Sequence, residues 1–366
     1  MTRVNDLETP TVVLDWPCCR GNISKMQSRA DAAGIELRPH IKTHKMIPVA
    51  REQLRAGAAG ICCAKTSEAE AMLPAGPTEI FVTFPIWGEA KLARLAKLAD
   101  AVPTQTTVDG IEQARGMSAY FQQLGRTIDV LVEVDTGLHR TGVAPGEPAL
   151  DMAKQVDALP GLNLLGLFCH EGELARDWPD ADERAKHVAE PIEKMQATKA
   201  LLDRAGLRCD ALWPGCTPSA WQLLEVAGFT ALRPGTYVFN DAACIRFGSA
   251  TVDELAVTVH CTVVAKPAAD RLVIDAGSKT LAADRNEVYA HGMILGHDEL
   301  EIVKLNEEHG WVRVKPDRST DLQVGDRVRV APSHICPCIN LHDSVAVVEG
   351  DEVIDRWTVD ARGKVL

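Results

Sequence analysis

From residue 35 to residue 246 the chain alternates short extended runs with amphipathic helical ones, and nothing else in it restricts the fold as much. The extended runs are 36–40, 60–64, 79–84, 105–108, 129–134, 164–169, 209–213 and 230–233. Helix-like stretches fill the gaps at 66–73, 89–98, 111–124, 148–158, 182–205 and 218–227. Several open on capping residues (Thr66-Ser67, Asp109, Thr217 before Pro218) and several close on glycine (Gly125, Gly206, Gly228). Strands separated by helices of this length form βαβ units, and so a parallel sheet. Eight such strands close a (β/α)8 TIM-type barrel, which usually takes about 200–240 residues. An open doubly wound sheet is the rival, and it lacks its glycine-rich dinucleotide fingerprint after the first strand.

Past residue 246 the pattern changes. Short Val-rich runs at 256–264, 271–275, 301–305, 311–314, 327–330 and 344–348 are joined by turn pairs, with few helical stretches between. That is the composition of an antiparallel β-domain. The expected organisation is a barrel over 10–246 and a mainly antiparallel β C-terminal domain over 247–366. Residues 1–9 either precede the barrel or join the β-domain.

Composition removes several classes of function. With 366 residues, 46% of them hydrophobic, the chain has ample material for two cores. No apolar run approaches the roughly 20 residues that span a bilayer, and residues 1–8 lack the apolar centre of a signal peptide. No membrane role is expected. A net charge of −12 argues against nucleic acid as a partner. Eleven cysteines, an odd number, without an export signal read as reduced thiols in a cytoplasmic protein.

The chemistry is expected where a barrel keeps it, at the C-terminal ends of the strands. The first strand runs into Arg38-Pro-His-Ile-Lys42-Thr-His-Lys45, a stretch with two readings. It is either a solvated basic turn or the seat of a lysine whose ammonium form is disfavoured by neighbouring cations, which makes its amine nucleophilic. The fifth strand ends in Asp135-Thr-Gly-Leu-His139-Arg140 and the sixth in His170-Glu171-Gly172-Glu173. The seventh leads into Gly215-Cys216-Thr217-Pro-Ser219 and the eighth into Arg233-Pro-Gly235-Thr236-Tyr237.

Glycine, hydroxyls and a helix start at 215–219 make a phosphate site, with a plain helix cap as the alternative. Gly235, Thr236 and Tyr237 are placed to complete it. A nucleophilic lysine opposite a phosphate pocket is the layout of a pyridoxal 5'-phosphate enzyme. His170 is then placed to stack on or hydrogen-bond the cofactor ring, unless it is a core histidine. Arg140 either orients cofactor or substrate or pairs with Asp135. In the β-domain, His334-Ile-Cys336-Pro-Cys338-Ile-Asn-Leu-His342 offers imidazole and thiolate on one side of an extended chain, a soft pair suited to zinc. Two ligands with open positions describe a catalytic ion. A closed structural site that also takes Cys338 and His342, or ordinary buried thiols, are the alternatives.

Taken in order, Arg-Pro-His-Ile-Lys-Thr-His-Lys, His-Arg-Thr-Gly-Val, His-Glu-Gly, Gly-Cys-Thr-Pro-Ser and Arg-Pro-Gly-Thr-Tyr resemble the motifs of the D-threonine aldolase / D-serine dehydratase family. These are fold-type III pyridoxal phosphate enzymes with an alanine racemase-like barrel. The resemblance implies that Lys42, rather than Lys45, is the Schiff-base lysine. It also implies that His334 and Cys336 hold a catalytic divalent metal, Zn²⁺ in first place and Mn²⁺ second. The expected activity is a lyase reaction on a small-molecule D-β-hydroxy amino acid such as D-serine or D-3-hydroxyaspartate. Dehydration would give a 2-keto acid and ammonia, and retro-aldol cleavage to glycine and an aldehyde is the alternative. A racemase is disfavoured because Tyr289, the β-domain's one tyrosine, sits in no matching motif. A non-catalytic cofactor carrier would lack the β-domain. The resemblance further implies a homodimer. Glu171, Glu173, Asp343, Trp87 and the 177–182 stretch have no assigned role at this level.

Overall fold

The computed structural model describes residues 2–174 and 181–366, without the side chains at 173, 181, 182, 184 and 185. The chain divides into two compact units. One holds Lys25–Lys42, Val49–Gly235 and Lys364–Leu366, the other Met1–Ser24, Thr43–Pro48 and Thr236–Gly363. Among the described residues no helix is long and apolar enough to cross a membrane.

The first unit is the barrel. All eight expected runs contain strands: Glu36–Leu37, Ile61–Cys63, Ile80–Val82, Thr104–Val108, Ile128–Val134, Leu162–Cys169, Ala211–Trp213 and Ala231–Leu232. The second to seventh form one parallel sheet in sequence order, and the first pairs parallel with the eighth. The ring closes through the His40–Cys62 bridge on one side and the Thr230 N–H to Leu212 carbonyl bond on the other. The helices follow from local pattern. Glu89–Ala101 buries Leu92, Leu95, Ala96 and Leu98 along one stripe and leaves its charged residues outside. Gly125, Gly206 and Gly228 sit in the left-handed region at φ +66°, +72° and +101°, as helix-ending glycines do. The expected caps shift by a residue. Thr66 and Ser67 lie inside their helix, whose cap position belongs to Lys65, and Cys216 takes the place expected of Thr217.

Aromatic side chains fill the barrel's interior. Phe81 meets Phe168 and Trp213 edge-on, each at 5.2 Å between ring centroids, within a core that includes Cys62, Leu131, Ala211 and Ala231. A buried arginine plugs each end of this layer. Arg38 lies over the Trp213 ring and pairs with Glu36 and Glu79, at the starts of strands. Arg233 lies over Phe168 and donates to the carbonyls of Cys169 and Trp213, at the ends of strands. Ends are where the chemistry of a barrel resides, so Arg233, not Arg38, belongs to the functional side.

The second unit is a nine-stranded, mainly antiparallel sheet. Its path runs Leu300–Leu305, Gly310–Val314, Arg271–Ile274, Val257–Ala268, Thr11–Asp15, Ser344–Glu349, Glu352–Thr358, with Arg327–Pro332 joining Val257–Ala268 to Gly292–Ile294. A boundary at residue 10 assigns Thr11–Asp15 to the barrel. The chain instead pairs it antiparallel with Val257–Ala268 and parallel with Ser344–Glu349. Leu14 in it is fully buried. None of the eleven cysteines forms a disulfide.

Candidate active site

The basic stretch after the first strand is not a solvated turn. Arg38, His40, Thr43, His44 and Lys45 are all buried. Arg38 is neutralised by its two glutamates, and Lys45 donates from Nζ to the Ala361 carbonyl at 3.3 Å. Lys42 differs from both. It is half-buried, and no carboxylate among the described residues pairs with it. Of the two lysines in the motif, Lys45 is committed to structure and Lys42 is available for chemistry.

His170, at the end of the sixth barrel strand, sits in a positive field. Burial, followed by the charges of Lys42, Arg233 and Arg140, pushes its pKa well below that of an ordinary histidine, against a hydrogen bond to the Gly215 backbone. The ring is therefore neutral near pH 7. Gly172 keeps room for it, since a Cβ there would lie 3.1 Å from its Nε2. Arg140 is exposed and does not pair with Asp135. That carboxylate accepts from the backbone N–H groups of Gly137 and His139 and faces the His139 ring, each at 3.0 Å. Burial raises the Asp135 pKa, but these hydrogen bonds hold it below the usual range.

The 215–219 loop differs from its expected form in one respect. The Gly215 N–H is not free, because both oxygens of the buried Glu171 carboxylate accept it at 2.9 and 3.0 Å. Gly215 supplies shape instead: at φ +134°, a Cβ would lie 2.6 Å from the Arg233 nitrogen. Ser219 turns back on its own loop, with Oγ 3.2 Å from Cys216 Sγ and donating to the Cys216 carbonyl at 3.3 Å. Thr217 is buried at the helix start. A close-packed cradle and three cations gathered in a chain of net charge −12 suit an anionic, phosphate-bearing ring such as pyridoxal phosphate. Gly235 ends the barrel unit, whereas Thr236 and Tyr237 belong to the β unit. Tyr237 is buried there.

In the β unit, the metal motif is not an extended chain. His334 is the N-cap, at extended φ −142°, of the helix Ile335–Leu341, and Cys336 lies in its first turn. Helix entry brings the two side chains together. Burial lowers the His334 pKa, but a hydrogen bond to Cys336 and the charges of Cys336 and Asp241, with Asp284, raise it to about 10. Nδ1 of His334 lies 2.6 Å from Asp284 Oδ2, which leaves the other ring nitrogen for an ion, as in carboxylate–histidine–metal arrangements. Asp241 accepts from the Ile335 N–H at 3.0 Å and caps the helix Ala242–Arg246 through Cys244, so it ties down the backbone between the two expected ligands. Cys338 and His342 face elsewhere. Both donate to the Thr280 carbonyl, from Sγ at 3.1 Å and Nε2 at 2.9 Å, and a closed four-ligand site is not built. Among the described residues no group of three or more His, Cys, Asp or Glu is gathered to hold an ion. The His334–Cys336 donor pair fits a divalent ion that keeps open positions.

Sequence reasoning left Arg233, Asp241 and Asp284 without roles. Arg233 carried a usable signal, since it stands at the end of the eighth barrel strand, on the side where a barrel keeps its chemistry. The two aspartates carried none. Asp343 forms an exposed pair with Arg362, and Trp87 is 66% exposed. The stretch 175–180, with Trp178 and Pro179, and the side chain of Glu173 lie outside the described residues.

A parallel barrel with a strand-end lysine and a neutral histidine, encoded in one chain with a β-domain, is the arrangement of a fold-type III pyridoxal phosphate enzyme. Comparison with known proteins agrees. Residues 15–243 match the alanine racemase N-terminal domain and 256–348 the putative serine dehydratase domain. The chain is 36% identical to the D-threonine aldolase of Arthrobacter sp over 98% of its length and 93% of that protein. It is 30% identical to the D-threo-3-hydroxyaspartate dehydratase of Delftia sp. over 96% of its length and 97% of that protein. The crystal structure of a D-threonine aldolase from Filomicrobium marinum superposes with a TM-score of 0.91 at 32% identity, covering 99% and 97% of the two chains. The Delftia enzyme superposes at 0.88 and 27% identity, covering 98% and 99%. The chain belongs to the D-threonine aldolase / D-serine dehydratase family of pyridoxal phosphate-dependent lyases.

Proposed function

We propose that this enzyme dehydrates a D-β-hydroxy amino acid, D-serine or D-3-hydroxyaspartate, to a 2-keto acid and ammonia, using pyridoxal phosphate and Zn²⁺. The observation that supports a zinc-assisted reaction is the His334–Cys336 pair, and the preference for dehydration rests on the likeness of this His-x-Cys pair to the dehydratase branch of the family. An imidazole and a thiolate are soft donors that select zinc, and two ligands leave positions for a substrate hydroxyl. When bound, pyridoxal phosphate supplies an electron sink at Cα and the divalent ion a Lewis acid for the β-hydroxyl. Lys42 would hold the cofactor, and its Nζ would be the base that takes the substrate's α-proton. His170, a neutral imidazole, would face the cofactor ring without adding positive charge. Arg140, exposed and without a carboxylate partner among the described residues, orients the substrate carboxylate. Gly215, Cys216, Thr217, Ser219 and Gly235 shape the phosphate end, with Thr236 and Tyr237 following in the chain. Loss of the α-proton and the hydroxyl as water gives an enamine of the product, which takes a proton at Cβ to become the imine, and water hydrolyses that imine to ammonia and the keto acid. The expected working state is a cytoplasmic homodimer, on the strength of the family resemblance and the free thiols.

A second reading, retro-aldol cleavage, is favoured by the higher identity to the Arthrobacter D-threonine aldolase, 36% against 30% for the dehydratase. It uses the same residues, with the proton taken from the hydroxyl rather than from Cα. The test is a product assay with pyridoxal phosphate and Zn²⁺ or Mn²⁺ on D-serine, D-threonine and D-3-hydroxyaspartate, with L-isomers as controls. Keto acid and ammonia support dehydration; glycine and aldehyde establish the aldolase instead. Lys42→Ala is expected to abolish the cofactor's visible absorbance, and a yellow holoprotein would refute the lysine assignment.

A further inference from the structure

We infer that Thr43 is a positioning residue for the metal ion: its hydroxyl donates a hydrogen bond to Cys336 Sγ and holds the thiolate in place, with Thr236 as a weaker second donor. The inference rests on the metal reading of His334 and Cys336 proposed above. Thr43 Oγ1 lies 3.2 Å from Cys336 Sγ and Thr236 Oγ1 lies 3.8 Å from it. Thr43 is fully buried, so water does not compete for its proton. A thiolate has no proton to give, so with an ion on Cys336 the sense of both contacts is set: oxygen donates and sulfur accepts.

The location of the donors supports the same conclusion. Thr43 follows Lys42 and Thr236 follows Gly235, and at both peptide bonds the chain passes from the barrel unit into the β unit. Each hydroxyl is therefore carried by backbone that has just left a barrel strand, the first and the eighth. Within the β unit, the other ligand is steadied by different residues. Asp284 takes His334 Nδ1 and Asp241 takes the Ile335 N–H.

Two effects of the Thr43 hydrogen bond oppose each other. Drawing electron density from sulfur weakens its bond to the ion. Stabilising a half-buried thiolate and restricting its rotation strengthens the site. With only two protein ligands, loss of orientation in one is not made up by others, so the second effect dominates. Partners of this kind typically change metal affinity by about 10–100-fold.

The test is the Zn²⁺ dissociation constant of the holoenzyme, measured by competition with a chromophoric chelator. The proteins are wild type, Thr43→Val, Thr43→Ala, Thr43→Ser and Cys336→Ala. Valine keeps the shape of threonine without the hydroxyl, and alanine provides a second hydroxyl-free variant if valine does not fold. Both are expected to bind Zn²⁺ about tenfold more weakly, with serine close to wild type. Loaded with Co²⁺, the valine and alanine proteins should show their thiolate-to-cobalt absorption at longer wavelength, because a sulfur without its hydrogen bond gives up electron density more readily. A hydroxyl that merely fills space would leave that band unmoved. Unchanged Zn²⁺ affinity and an unmoved band in the hydroxyl-free variants, beside a loss in Cys336→Ala, overturn this inference alone. Equal Zn²⁺ affinity in wild type and Cys336→Ala overturns the metal reading beneath it.

Discussion

Cys336 and Cys338 lie two positions apart in one motif, and their surroundings separate them. Cys338 is fully buried and its thiol is pushed up to about 12 by that burial, while Sγ donates to the Thr280 carbonyl. Cys336 is only partly buried and touches two hydroxyls and an imidazole. Cys338→Ala is expected to keep full metal content by elemental analysis, and Cys336→Ala to lose it. The reverse pattern would move the site. The motif's spacing was visible in the sequence, but not which sulfur faces which neighbour. That depends on the helix beginning at Ile335 and on Thr280, 58 residues away from Cys338. The same holds for Arg140. One of its two readings, a pair with Asp135, is removed only by the fold, which engages that carboxylate with His139 and Gly137.

At the scale of elements, the barrel depends on an aromatic layer between two buried arginines. Phe81 touches both Phe168 and Trp213 and is fully buried. Phe81→Ala is expected to lower unfolding stability by about 3–5 kcal/mol, through lost burial and the cavity left behind. Urea denaturation followed by far-UV circular dichroism checks this, and a loss below about 1 kcal/mol would mean the layer repacks. The eight strands were legible because period and turn chemistry are local. The Thr11–Asp15 strand was not, although its run Thr-Val-Val-Leu-Asp is as β-like as any other. A strand carries no mark of its partner, and its partners here lie some 250 and 330 residues further on.

For the whole molecule, pH is a usable probe. Burial, then the charges of Arg329 and Arg327, lower the pKa of His260 to about 4. In an unfolded chain a histidine takes its proton near 6.5. Between those values the unfolded state binds more protons, so stability falls as pH falls from 6.5 towards 4, by up to about 1.4 kcal/mol per pH unit. His170 adds to the same limb in the absence of cofactor. His260→Gln is expected to flatten part of this slope in urea midpoints measured from pH 7 to pH 4. An unaltered slope would show that His260 does not carry it.

Alternation and turn residues were enough, by themselves, to set out the barrel, the β-domain and the polar strand ends that hold His170 and Arg140, while the motifs' resemblance to a known family singled out Lys42 over Lys45 and His334 with Cys336. These are properties of neighbouring residues, and a sequence records neighbours. Tertiary structure alone decided how the polar groups were shared out. Glu171 takes the Gly215 N–H, Thr280 takes Cys338 and His342, and Thr43 reaches Cys336. A donor or acceptor is committed by whichever partner arrives closest, and these partners come from segments tens to hundreds of residues away.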